Sequence, residues 1–242
     1  MVLVSRKTAG TLVVGGALSF TLSSLFYPSM LGVQKVSSAP SRVIAAPATG
    51  TLTEADRDFV VQVRAAGLWE YPVGQRALKK GTTKAVRSAG EHLVDGDAAL
   101  DAACRNVANQ LGIALPNQPS PQQQSLESRL NAESGKQFDT DLATTVRTTN
   151  GQFLTTIASV RTTTRNSLVR ALADQVNNTV LDHISAVEKT GLVDFGQVLV
   201  QETTSPNVPA QNLTPPPAVA GQPQTVLTPP ANSTVSPSPA AG

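Results

Sequence analysis

Between Thr53 and Gly191 the apolar residues recur at intervals of three and four while glycine and proline are sparse. That period fits an α-helix burying one face, and no run alternates apolar and polar residues as a half-buried strand does. The first segment opens at Thr53-Glu-Ala-Asp56, a hydroxyl cap with acids in the first turn, and carries Phe59, Val60, Val63, Leu68, Val73 and Leu78 toward Gly81. Pro72 falls inside it and is expected to kink it. The second runs from about Thr83 to Leu111 with the stripe Val86, Gly90, Leu93, Asp97, Leu100, Cys104, Val107 and Leu111. The third is announced by Ser120-Pro121-Gln122-Gln123, in which serine caps, proline fills the first helical position and glutamine reaches back to the cap. A break is expected at Gly135, after which Phe138, Leu142, Val146, Thr149, Phe153, Ile157 and Val160 continue to about Thr164. The fourth, capped by Asn166, carries Leu168, Leu172, Val176, Val180, His183 and Val187 before Gly191. Four such segments predict an all-α chain whose residues 53–195 fold as an antiparallel four-helix bundle.

The two ends differ from this middle. All 17 acidic residues lie between Glu54 and Glu202, whereas Arg6, Lys7, Lys35 and Arg42 precede them, so the net charge of +2 comes from the first 42 residues. The helical part is therefore slightly acidic and lacks the basic stripe that would neutralise phosphates, which excludes a nucleic-acid partner. Arg6-Lys7 followed by uncharged residues 8–34 has the pattern of an export signal. Two outcomes are open. Residues 1–35 are a signal peptide, removed on secretion, or residues 10–33 remain as a membrane anchor that holds the domain outside the cytoplasm. Residues 36–52 read as a linker. Residues 196–242 hold most of the 17 prolines and, past Glu202, no charge, so they predict a disordered Pro/Thr/Ser-rich tail, either a plain spacer or a segment that meets a cell-wall or envelope-protein partner.

Chemistry-bearing residues are few. One cysteine, Cys104, excludes an intramolecular disulfide and multi-cysteine metal sites. No serine elbow or phosphate-binding loop occurs. The two histidines are His92 and His183, and neither follows an acid by three residues, the spacing a carboxylate-bridged metal pair needs. Asp97, Cys104 and His183 fall on apolar stripes, where a mononuclear metal set, an Asp97–His183 ion pair and plain core packing all fit. Trp69 and Tyr71 flank Glu70 and suit either a pocket wall or bulk in the core.

Three stretches carry a family resemblance: Leu52-Thr-Glu-Ala-Asp-Arg-Asp-Phe-Val-Val61 with Ala65-Ala-Gly-Leu68, then Leu93-Val-Asp-Gly-Asp97, then Leu181-Asp-His-Ile184. Together they resemble the bacterial exported domain labelled "predicted outer membrane protein", a ferritin-like four-helix bundle of unknown function. The resemblance implies a metal-holding set made of an aspartate-histidine pair on the second helix, a similar pair on the third and an acid-histidine pair on the fourth. Here Asp97 and Thr149 stand at the first two histidine positions, and His183 beside Asp182 keeps the third. Glu70 matches one acid of the first helix, and Pro72 stands where a second is usual.

The leading expectation is a non-catalytic exported module of the cell envelope, with a binding or structural role and no cofactor. The alternative is a metal-binding or oxidoreductase relative of the ferritin-like fold, holding Fe, Mn or Zn through His183, Asp97 and Glu70.

Overall fold

A computed structural model describes residues 41–203, 210–219 and 221–229, so the expected export segment lies outside the described residues. Two short antiparallel strands, β1 (Val43–Ala45) and β2 (Leu52–Thr53), lead into the helices. The expected linker 36–52 is thus ordered from Ser41 onward. Its Thr49 and Gly50 accept hydrogen bonds from Ser167 and Asn166, which pin it to the start of the last long helix.

The remainder is mostly helical: α1 (Glu54–Lys80), α2 (Lys84–Leu111), α3 (Pro121–Ala132), α4 (Gly135–Thr163), α5 (Ser167–Glu188), α6 (Phe195–Thr203) and α7 (Ala210–Leu213). The caps follow the side chains. Thr53 and Asp56 form a reciprocal capping box, Ser120 and Gln123 form another with Pro121 at the first position, and the Asn166 side chain accepts from the Leu168 and Val169 amides. α1 runs unbroken through Pro72. The third sequence segment divides at Gly135 into α3 and α4.

α1 packs chiefly on α2 and α4 chiefly on α5, while α2 also meets α5 and α1 also meets α4. α1 and α2 approach closely where Gly74 faces Gly90: a methyl on Gly90 would sit 2.8 Å from both the Ala77 Cβ and the Gly74 carbonyl oxygen. Two apolar clusters fill the interior. One gathers Phe59, Val63, Leu100, Cys104, Ile157 and Leu172 with their neighbours, and the other gathers Trp69, Val73, Leu93, Phe138, Leu142 and Val187 with theirs. α1 and α5 pass from the first cluster to the second, whereas α2 and α4 pass from the second to the first. The pairs α1–α2, α4–α5, α2–α5 and α1–α4 are therefore antiparallel, whereas α1 and α5, which also touch, run the same way, as do the two helices joined by the connection carrying α3.

The expectation of a wholly disordered stretch from residue 196 is corrected. Phe195–Thr203 is helical, and residues 222–229 lie along the helical body with Leu227 buried. Composition argued against order because such a segment buries little apolar surface. What holds it is polar: main-chain groups of the strap meet side chains already fixed on α1, α2 and the loop after α2. Among the described residues no helix is long and apolar enough to cross a membrane.

Candidate functional site

Where the two apolar clusters meet, each long helix contributes one buried polar side chain: Glu70 from α1, Asp97 from α2, Asn150 from α4 and His183 from α5. On each helix the position follows from its stripe. Asp97 stands four residues after Leu93, Asn150 four after Val146, and His183 three after Val180, so helical spacing turns all of them inward. His183 Nδ1 lies 3.3 Å from Glu70 Oε2, and Asn150 Nδ2 donates to Glu70 Oε1 at 3.0 Å. One potential ligand atom each from Glu70, Asp97 and His183 falls within a set whose members are all within 4.8 Å of one another. Sequence-derived candidates from three helices thus converge. Gly96 makes room for the imidazole, since any Cβ there would run into His183 Nε2.

The cluster is under electrostatic strain. Asp97 Oδ2 is buried with no hydrogen-bond partner among the protein atoms, and so is His183 Nε2. Burial first, then the Glu70 and Asp101 charges, push the Asp97 carboxyl well above the usual carboxylate range. The folded chain therefore keeps a proton that the unfolded chain releases near pH 4. Stability from this group is complete below about pH 4 and is lost as pH rises through the raised value. Asp97→Asn removes that slope. In chelator-treated protein the variant should melt above the wild type, by a margin that grows with pH at about 1.4 kcal/mol per unit, or about 3–6 °C for a chain of this size, until Asp97 ionises in the fold. A margin constant from pH 5 to pH 8 would contradict the raised value.

One turn along α2, Asp101 anchors a second buried polar group. The Arg64 guanidinium pairs with its Oδ1, while Arg105 Nε donates to Oδ2 at 2.9 Å. Arg64 also donates to the Pro116 carbonyl at 3.1 Å and to the Thr225 carbonyl at 2.7 Å. Burial lowers the Arg64 pKa, and the Asp101 charge opposes that.

Other candidates separate from the site. Cys104 lies in the first apolar cluster, its thiol donates to the Val60 carbonyl at 3.3 Å, and burial pushes it up to about 12, so it is a packed thiol and not a ligand. Thr149 turns back on its own helix, its hydroxyl donating to the Thr145 carbonyl at 3.0 Å. Its neighbour Asn150 is the α4 member of the site, and its signal was the four-residue step from Val146. His92 pairs with Asp182 at 2.7 Å on the surface. Trp69 is core and Tyr71 holds the strap, its hydroxyl donating to the Thr228 carbonyl at 2.6 Å.

A family model described as a domain of unknown function, DUF4142, matches residues 41–190. The chain belongs to the DUF4142 family. No curated protein and no solved structure matches it. The DUF4142 segment includes all four residues of the buried polar level and ends before α6 and the strap.

Proposed function

We propose that this DUF4142 domain is a metal-binding module of the exported cell envelope, a ferritin-like antiparallel four-helix bundle that holds one divalent transition-metal ion through Glu70, Asp97 and His183. The observation that carries the reading is a convergence: two carboxylates and one imidazole, delivered by three helices into an apolar interior, with Asp97 Oδ2 lacking any protein partner. A buried carboxylate without a partner is costly, and one dication offsets the charge of two buried carboxylates. The nitrogen-oxygen donor set without thiolate suits Zn, Mn or Fe. Support for the ferritin-like arrangement comes from the helix directions and from the long connection through α3 between two helices running the same way.

A second reading is favoured by the direct His183–Glu70 contact, braced by Asn150: a structural polar cluster inside a non-catalytic binding or structural module. Metal analysis of the full chain, with melting titrations in Zn(II), Mn(II) and Fe(II), separates the two. The metal reading expects one equivalent bound and, at about 100 times Kd, a stabilisation of about 2.7 kcal/mol, or about 5–10 °C. His183→Ala should abolish the shift. Gly96→Ala should do so too, although it removes no ligand, because its methyl displaces the imidazole. A protein that retains no metal and shows no thermal shift leaves the structural cluster.

A further inference from the structure

The strap is held in a way that does not depend on most of its own side chains. Asn117 uses both ends of its amide, donating to the Pro223 carbonyl and accepting from the Thr225 amide, each at 3.2 Å. Arg64 donates to the Thr225 carbonyl at 2.7 Å, Asp101 Oδ2 accepts from the Leu227 amide at 3.1 Å, and Tyr71 donates to the Thr228 carbonyl at 2.6 Å. These five bonds all reach main chain. The one strap side chain seated in the body is Leu227, packed on Leu68 and Ala98 beside Tyr71, with Gly67 leaving space beneath it. Val226 points outward and is exposed. Gln224 borders a cleft of about 660 Å³ shared with Arg105, Asn106 and Asn109.

A site of this design reads an extended backbone plus one apolar anchor, which is how strand-type peptide recognition divides affinity from specificity. Prolines suit the flanks of such a ligand, because they lack an amide that would be left without a partner. The receiving groups are fixed independently of the strap: Arg64 by Asp101 and the Pro116 carbonyl, and Asp101 by Arg64 and Arg105.

We propose that the groove formed by Arg64, Leu68, Tyr71, Asp101 and Asn117 is a receptor for extended, proline-flanked peptides with a leucine anchor, and that residues 223–228 occupy it in cis. A partner presenting the same chemistry, an extended Gln-Thr-x-Leu-Thr-Pro segment, competes for it. This does not rest on the metal reading. Tethering makes the cis strap the stronger competitor, because a linked segment has a high effective concentration at its own site.

The test uses the full chain and a fluorescent synthetic peptide of residues 221–230. Leu227→Asp in the chain's own tail empties the groove without touching its walls, and Thr225→Pro does so independently by removing the amide that Asn117 accepts. Both variants should bind the peptide saturably, at least about tenfold tighter than the wild type does. A peptide carrying Leu227→Asp should not bind, and Asn117→Ala in either variant should weaken binding. Folding of each variant is checked by circular dichroism, and one folded variant suffices. Absence of saturable binding to the folded variants, or equal binding to variant and wild type, overturns the proposal.

Discussion

Replacing Arg64 with alanine is expected to lower the unfolding free energy by about 3–5 kcal/mol, the range for breaking a desolvated ion pair by removing one partner. The Arg64 and Asp101 side chains are 0% and 1% exposed, so water does not replace what is lost. Asp101 keeps Arg105, which moderates the effect, but the Pro116 and Thr225 carbonyls both lose their donor. At about 2–4 °C per kcal/mol the melting temperature should fall by about 6–20 °C. Arg64→Lys should recover part of the loss, because an ammonium keeps the charge without the planar fork that reaches three acceptors. Urea denaturation followed by circular dichroism measures this. A loss under about 1 kcal/mol would mean that the pair is solvated, as surface pairs are.

Trp69→Ala is expected to cost a similar amount, about 3–5 kcal/mol, by a different route. Trp69 is 1% exposed and lies with Val73, Leu93, Phe138, Leu142 and Val187 where α1, α2, α4 and α5 meet. Truncation removes apolar area and leaves a void that four long helices cannot all close upon. Trp69→Phe keeps most of the volume and should cost clearly less. The substitution also reaches the polar cluster, because Glu70 follows directly and depends on the pitch of α1 there. A Trp69→Ala protein that loses stability yet keeps any metal response intact would show that Glu70 holds its place without the Trp69 ring.

Much of the scaffold was legible because its signals are local. Thr53, Thr83, Ser120 and Asn166 cap the helices that the periodicity predicts, and Gly135 divides the third segment as expected. Glu70, Asp97 and His183 were legible as candidates, the first through a family resemblance and the others through their place on apolar stripes. Their convergence was not, because it depends on how far along each helix the crossing falls. Asn150 was missed in favour of Thr149, one position away, since adjacent positions fit the apolar stripe of a helix almost equally well, while only the amide at 150 reaches Glu70 and the Thr149 hydroxyl bonds its own helix. The Arg64–Asp101 pair was hidden because each residue alone reads as an ordinary surface charge. The strap was hidden for a related reason: its order comes from side chains more than a hundred positions earlier in the chain, which no window of the tail contains.

The strap also determines what counts as one folding unit. A fragment cut at residue 190, where the family match ends, or at 203, after α6, would keep every long helix yet uncover Leu68 and Ala98 and strip Arg64 Nη2 and Asp101 Oδ2 of main-chain partners. The packed interior thus takes in Leu227, well beyond the last long helix. Tags and fusions are best joined beyond residue 229, since a junction placed at the end of the long helices edits the interior rather than the edge.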